Sequence, residues 1–358
     1  MPRLMSIWQK YYIQKYSINN QMKSIKKKSL ILVFFILTVA TFFISVGNGA
    51  VNLSPLEIIE TLLNNKGSTD YQIIWNVRLP RTIAAALVGI NLSLSGAILQ
   101  GIMKNPLASP GTIGVSAGAG LAGLIILILF PGYFYLVPFA SFVGALGATM
   151  LIYLLAWNGG VMPTRMILAG TAVSSLFGAG NNALMTFYPD RVSGVLSFMV
   201  GGLSSITWND VSLILPYTVL CSIIIMFLPT KLNILLLGDE VANGLGLDVE
   251  RTRLMFIVLS SLLAGSAVSV VGLLGFVGLM VPHITRLIIG SDYHYLLPGT
   301  IFLGATMVML CDTISRVLFQ PMEIPVGIVM SALGAPFFLY LLKRGVGYHK
   351  HKSKQHHN

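Results

Sequence analysis

The sequence predicts an all-α membrane protein with about ten transmembrane helices and no separate soluble domain. Of the 358 residues, 55% are hydrophobic and 10% are charged, and the mean hydropathy is +0.79. A soluble domain carries roughly 25% charged residues. A chain of this length holds about ten spans of roughly 20 residues with short loops between them. The membrane-spanning part therefore accounts for nearly the whole chain.

Apolar runs divided by charges and by glycine or proline clusters mark the predicted spans. They lie near residues 30–47, 82–103, 113–130, 135–156, 165–187, 210–228, 252–274, 276–290, 297–319 and 325–342. Glycines crowd two places along these spans, which are Gly111, Gly114, Gly118, Gly120 and Gly123 at the start of the third span and Gly265, Gly272, Gly275 and Gly278 in the second half. Small residues let helix backbones approach closely in a membrane, so these clusters predict tight helix packing.

Lysine and arginine indicate which side of the membrane each loop faces. With ten spans and both termini inside, the inner segments hold all but five of the 23 Lys and Arg residues. Inner loops of membrane proteins carry this excess, so both termini are predicted to be cytoplasmic. The predicted organisation is a basic segment at 1–29, a transmembrane domain at 30–343 and a basic tail at 344–358. The net charge of +11 lies at the ends and in loops, which favours contact with anionic lipid and not with nucleic acid.

One segment, from Gly238 to Arg253, is too polar to lie in lipid. It holds four of the twelve acidic residues of the chain, and Gly244 and Gly246 lie between its short helix-forming pieces. The loop charges place it in the cytoplasm, between the sixth and seventh spans. We expect this segment to bind a partner in the water phase.

The sequence carries no pattern typical of a catalytic or metal site. His283 and His294 lack acidic or cysteine neighbours at ligand spacing, and Cys221 and Cys311 lie within apolar runs. The phosphate-binding pattern GxxxxGK[ST] does not occur. The prediction is therefore a protein with no catalytic residue and no bound metal or cofactor. If ATP drives it, another subunit binds the ATP and its Mg²⁺.

Charge is nearly absent from the middle of the spans, whereas gradient-driven transporters usually need ionisable groups there. The exception is Asp312 with Arg316, four residues apart on one helix face. Two interpretations stay open at this point. The residues form a local ion pair, or Arg316 belongs to an outward docking surface with Arg78 and Arg81.

Four stretches, in the same order along the chain, closely resemble the permeases of ABC importers for ferric siderophores and vitamin B12, the type II importers. They are VRLPRTIAAALVGINLSLSGAILQGIMKNPLASPGTIGVSAGAG, GDEVANGLGLDVERTR, GLLGFVGLMVPHITRLIIGSDYHYLLPG and MEIPVGIVMSALGAPFFLYLL. The resemblance covers about residues 30 to 343. It implies a ten-span, non-enzymatic permease of a bacterial cytoplasmic membrane that imports an iron-siderophore. Cobalamin or haem import by the same architecture, and a gradient-driven secondary transporter, are the alternatives.

The resemblance also implies partners and residue roles. The partners are a second permease, identical or related, two ATPase subunits, and a substrate-binding lipoprotein or periplasmic protein. The implied docking residues for the binding protein are Arg78, Arg81 and Arg316. The implied coupling residues, which contact the ATPase, are Gly238, Asp239, Glu240, Ala242, Gly244, Leu245, Gly246 and Leu247. The implied pathway residues are Asn181, Asn182, Met185, Phe187, the 193–201 helix, Met330 and Ser331. The implied inner gate is Met162, Pro163 and Thr164, where the expected small hydroxyl residues are partly replaced.

Overall fold

The computed structural model describes residues 2–49, 53–64, 67–157, 163–320 and 322–353, and these residues form helices and connecting turns without a β-strand. The helices are α1 (Pro2–Gly47), α2 (Pro55–Asn64), α3 (Thr69–Ile73), α4 (Leu79–Ile102), α5 (Val115–Leu129), α6 (Val137–Ala156), α7 (Pro163–Phe187), α8 (Val192–Val200), α9 (Trp208–Met226), α10 (Pro229–Leu236), α11 (Asp239–Gly244), α12 (Val249–Val271), α13 (Val277–Ile289), α14 (Tyr293–Val317) and α15 (Val326–Ser353). A π-helical turn, Ile74–Arg78, leads into α4.

The ten predicted spans coincide with α1, α4, α5, α6, α7, α9, α12, α13, α14 and α15. Within the described ranges, six helical stretches are long and apolar enough to cross a membrane, and they contain the spans of α1, α4, α6, α9, α12 and α14. Helix α1 begins at Pro2 and α15 continues to Ser353, so helix extends into the predicted basic lead and tail, and the division into these segments stays a prediction. With 13 residues, α13 rises only about 20 Å, less than the roughly 30 Å of a hydrocarbon core.

The centre of the bundle is α4. In the helical run that contains it, 83% of an apolar 18-residue stretch is buried inside the protein. Its small residues explain how it is enclosed. A Cβ atom at Gly96 would lie 1.8 Å from the carbonyl oxygen of Gly278 in α13, and one at Gly89 would lie 2.2 Å from that of Gly304 in α14. Only hydrogen fits at these contacts, which confirms the predicted tight packing at Gly278 and adds Gly89 and Gly96, which the sequence analysis did not single out.

The two ends of α4 define the two ends of the bundle. Its first turn carries Arg81, and Lys104 follows its last residue. At 1.5 Å per residue these positions lie about 35 Å apart, the thickness of a membrane. We name the two ends the arginine end and the coupling end.

Candidate functional sites at the two ends of the bundle

Short helices joined by glycine turns form the coupling segment, residues 238–253. Gly238 at φ +112° precedes α11, and Gly246 at φ +82° follows it. Glycine adopts this backbone region without the steric cost that a Cβ brings. Asp248 then caps α12 by accepting a hydrogen bond from the Arg251 backbone N–H at 3.0 Å. The segment is therefore a short helix fixed between two turns.

The Asp239 carboxylate ties α11 to two membrane-spanning helices. Its Oδ1 accepts a hydrogen bond from Lys104 Nζ at 2.9 Å, and its Oδ2 accepts one from Arg253 Nη2 at 2.8 Å. The Arg253 side chain is 1% exposed and also donates to Glu250 at 3.2 Å. Lys104 follows α4 and Arg253 lies in α12. One carboxylate thus connects the coupling segment to the central helix and to its neighbour.

This arrangement sets the ionisation of Asp239. Partial burial disfavours the charged form, but hydrogen bonds and charge from Arg253 and Lys104 outweigh that effect and hold the pKa of the carboxyl below its ordinary value. Because the pKa is lowered in the folded protein, the stabilisation is present above the ordinary aspartate range and is lost as the pH falls below it. The connection is therefore intact at neutral pH.

The structure separates the eight predicted coupling residues into an inner and an outer set. Ala242 is fully buried and Leu247 packs against the core, so these two side chains anchor the segment. Leu245 is 61% exposed. Two further exposed apolar side chains, Val241 at 49% and Leu237 at 60%, lie four and eight residues before it. The sequence analysis missed both. The four-residue spacing of Val241 and Leu245 is a signal that could have found Val241, whereas Leu237 precedes the turn at Gly238 and is not on the same helix.

At the other end, five charged residues form what we call the arginine cluster. Its members are Arg78, Arg81, Asp312, Arg316 and Glu323. Within it, Arg81 Nε donates to the two oxygens of Asp312 at 3.0 and 3.1 Å, and Arg81 Nη1 donates to Glu323 Oε2 at 2.7 Å. Arg316 Nε lies 3.2 Å from Asp312 Oδ2. The predicted Asp312–Arg316 ion pair is confirmed.

Two of the three arginines, Arg78 and Arg316, also bind the end of α1. Arg78 Nη1 donates to the carbonyl oxygens of Val46 and Gly47 at 3.0 and 3.2 Å. Arg316 Nη2 donates to the carbonyl oxygen and the hydroxyl of Ser45 at 3.0 and 2.9 Å. Arg78, Arg81 and Arg316 are only 5 to 6% exposed. The structure therefore brings the predicted docking arginines together, but as buried groups paired within the protein and not as free surface cations.

The predicted pathway residues do not share one environment within this chain. Met330 is fully buried, and Asn181 is 6% exposed with its Oδ1 unpartnered among the described residues. Met185 packs beside a small cluster of α5 and α8. Asn182, Phe187 and Ser331 are exposed. In the 193–201 helix, Ser197 and Phe198 line a cavity of about 490 Å³ together with Tyr135 and Asp210.

The predicted gate is only partly visible. Met162 lies outside the described residues, Pro163 begins α7, and Thr164 is exposed. In the described part of the chain, no group of three or more His, Cys, Asp or Glu residues is placed to hold a metal ion. The absence of a bound cofactor stays a prediction.

Comparison with known proteins identifies the family. Residues 37–344 match the FecCD transport family. The chain belongs to that family. It is therefore a transport permease and a multi-pass membrane protein, as the sequence predicts. Its helices have the arrangement of a chain in a solved structure described as an inward-facing conformation of a metal-chelate type ABC transporter, with a TM-score of 0.80, 30% identity, and coverage of 88% of this chain and 99% of that chain.

This FecCD permease is similar over most of its length to several iron and hemin import permeases. The Fe(3+)-citrate import system permease protein YfmE of Bacillus subtilis is 39% identical over 87% of this chain and 94% of its own length. The iron(3+)-hydroxamate import system permease protein FhuG of the same species is 37% identical, over 90% and 99%. The hemin transport system permease protein HmuU of Yersinia pestis is 39% identical, over 83% and 91%.

We predict that neutralising Asp239 in this FecCD permease weakens the coupling of ATP hydrolysis to transport while the ATPase stays bound. In Asp239→Asn the amide keeps the size of the side chain, but the ion pairs with Lys104 and Arg253 are lost. Since charge-assisted hydrogen bonds are the strong ones, we expect the substrate moved per ATP hydrolysed to fall about tenfold. The measurement is transport and ATP hydrolysis in the same proteoliposomes. Asp190→Asn, an exposed carboxylate at the other end, is the charge-matched control, and an unchanged ratio in Asp239→Asn would refute the coupling role.

Proposed function

We propose that this FecCD protein is the permease subunit of an ATP-driven importer that carries an iron(III)-siderophore across a bacterial cytoplasmic membrane, with both termini cytoplasmic. The observation that carries the proposal is the family match over residues 37–344, joined to relatives named for iron(3+)-citrate and iron(3+)-hydroxamate import. An iron chelate is then the substrate, and the chain supplies the path for it.

In this proposal the coupling segment binds the ATPase. The exposed apolar side chains of Leu237, Val241 and Leu245 supply the contact surface, which suits insertion into a groove of a partner. Asp239 passes the movement of α11 to α4 and α12 through Arg253 and Lys104. Two ATPase subunits, each with ATP and Mg²⁺, serve a pair of permeases, either two copies of this chain or this chain and a relative.

The arginine end receives the substrate-binding protein. Arginine suits this task because its planar guanidinium takes a carboxylate through two hydrogen bonds. Arg81 already binds carboxylates at this end, which supports the assignment of Arg78, Arg81 and Arg316 to docking. The substrate path then runs beside α7, α8 and α15, where the pathway residues lie. Its inner end is closed near Met162, Pro163 and Thr164.

A second substrate has one specific observation in its favour. The hemin permease HmuU is as similar to this chain as the ferric citrate permease, at 39% identity. Haem and iron chelates are large ligands, and a wide path of weakly polar walls discriminates poorly between them. Cobalamin is the third candidate substrate for a permease of this architecture.

Uptake by proteoliposomes tests the proposal. The permease, its ATPase and its binding protein are reconstituted, and entry of iron(III)-citrate, an iron(III)-hydroxamate, haem and cobalamin is measured. We expect ATP-dependent entry of an iron(III)-siderophore and none when the ATPase is omitted. Entry of haem or cobalamin alone would reassign the substrate. Entry driven by an ion gradient without ATPase would identify a secondary transporter instead.

A further inference from the structure

Within the arginine cluster, Glu323 is the charged group that reaches water. The exposed fractions of the side chains are 7% for Arg81, 0% for Asp312 and 44% for Glu323. Arg81 therefore has one carboxylate partner inside the protein and one at the surface. A partner that approaches this end meets Glu323 before it meets the guanidinium of Arg81.

The charges of the cluster favour exchange of one carboxylate for another. Three arginines are balanced by two carboxylates, and Asp312 already binds both Arg81 and Arg316. Removing the outer carboxylate outright would leave a buried cation poorly compensated, which is costly. A carboxylate from a docking protein that takes the place of Glu323 keeps Arg81 paired, so this exchange avoids that cost.

Glu323 also anchors the connection between α14 and α15, residues 318–325. Its contact with Arg81 is charge-assisted and short, at 2.7 Å. The other described contacts that tie this connection to its surroundings are neutral and longer. The Ile324 backbone N–H donates to the Ser315 carbonyl oxygen at 3.3 Å, and Gln320 Nε2 donates to the Gly49 carbonyl oxygen at 3.3 Å. Release of Glu323 thus removes the shortest hydrogen bond that ties the described part of the connection, residues 318–320 and 322–325, to its surroundings, and it is the charge-assisted one.

The connection leads directly to the end of α8. The Gly327 N–H, in the first turn of α15, donates to the Gly201 carbonyl oxygen at 3.1 Å. A Cβ at Gly327 would lie 1.8 Å from the carbonyl oxygen of Val200. Because the two backbones touch without an intervening side chain, a shift of the α15 start is transmitted to α8 and to the cavity beside Phe198.

We propose that Glu323 is a displaceable counter-ion. A carboxylate of the docking protein replaces it on Arg81, and its departure frees residues 318–325 and the start of α15 at the contact with α8. Docking of the binding protein then itself causes the path to open at the arginine end. This inference rests on the docking role of Arg81 proposed above.

The test uses the permease with its ATPase in lipid nanodiscs and the substrate-binding protein encoded with it. The variants are Glu323→Gln, Arg81→Lys and the charge-matched control Glu60→Gln, an exposed carboxylate on α2 at the same end. Arg81→Lys keeps a cation beside Asp312, so the chain still folds. The lysine ammonium group, however, cannot bind two carboxylates at once as the planar guanidinium does. The readouts are the Kd of docking and amide hydrogen exchange across residues 318–328.

We expect Glu323→Gln to lower the docking Kd roughly three- to tenfold, because the incoming carboxylate no longer competes with an internal one. Glu60→Gln should leave the Kd unchanged. Amide exchange across 318–328 should accelerate in undocked Glu323→Gln and, to a similar extent, in the wild type when the binding protein docks.

The docking role of Arg81 and the displacement of Glu323 would be refuted by different results. If Arg81→Lys docks as tightly as the wild type, the docking role of Arg81 is wrong. If Arg81→Lys weakens docking while Glu323→Gln matches Glu60→Gln or docks less tightly, the docking surface stands and the displacement is refuted. Slower exchange across 318–328 on docking to the wild type also refutes displacement, because it shows that the connection is held and not released.

Discussion

Replacing Val241 and Leu245 together with aspartate should abolish binding of the ATPase while the permease still folds and inserts. Both side chains are about half or more exposed in this chain, at 49% and 61%, so their loss removes little from the permease core. Because about half of each side chain is already covered, burying the rest in a partner is worth about 1 to 1.5 kcal/mol each, and an aspartate in that contact adds the cost of burying a charge without a partner. We therefore expect a loss of roughly a hundredfold or more in affinity. Binding of the purified ATPase to permease in nanodiscs measures it.

Two comparisons make this test specific to the exposed side of the coupling segment. Leu56→Asp with Leu63→Asp changes two side chains that are 80% and 69% exposed on α2, at the arginine end, and should leave ATPase binding intact. Leu247→Asp places a charge against the core and should lower the yield of folded permease. Retention of the ATPase by the Val241 and Leu245 double variant would show that the contact lies elsewhere.

Replacing Gly96 with alanine should unfold or disassemble the centre of the bundle. The added Cβ would lie 1.8 Å from the oxygen, 2.5 Å from the carbonyl carbon and 2.6 Å from the Cα of Gly278. These are backbone atoms, so α4 and α13 must separate to admit a methyl group. We expect a destabilisation of about 3 kcal/mol or more. The measurement is the folded fraction after detergent extraction and its thermal unfolding midpoint.

The chain offers a matched control for this substitution. Gly147 lies in the spanning helix α6, and nothing approaches a Cβ at that position within 4 Å. Gly147→Ala should be neutral or slightly stabilising, since alanine is the better helix former. Equal unfolding midpoints for the two variants would contradict the close approach of α4 and α13.

Local patterns in the sequence were sufficient to predict the spans and some of the contacts. Apolar runs bounded by charges located ten helices of the bundle, six of them within stretches long enough to cross a membrane, because lipid excludes charge from their interior. The four-residue spacing of Asp312 and Arg316 predicted their ion pair, and the glycine cluster of the second half predicted the close approach at Gly278. The coupling segment was found because it is polar in an apolar chain.

Contacts between distant parts of the chain left no such pattern. Glu323 lies 242 residues from Arg81, and no spacing rule connects them. The family resemblance implied a partner contact for Asp239, and no pattern indicated that its carboxylate also binds Arg253 and Lys104 of its own chain. The inner positions of Ala242 and Leu247 likewise depend on how α11 packs against α12, which helical periodicity within six residues cannot specify.

The pairing of Arg81 with Asp312 has a consequence for the biogenesis of the protein. The two residues are 231 positions apart, so α4 is synthesised long before the carboxylate that neutralises its buried arginine. A cation in that position is costly until its counter-charge arrives. The charge at this end of α4 is therefore compensated by Asp312 only after α14 has been synthesised, and a chain truncated before Asp312 retains an uncompensated arginine at the arginine end of the nascent bundle.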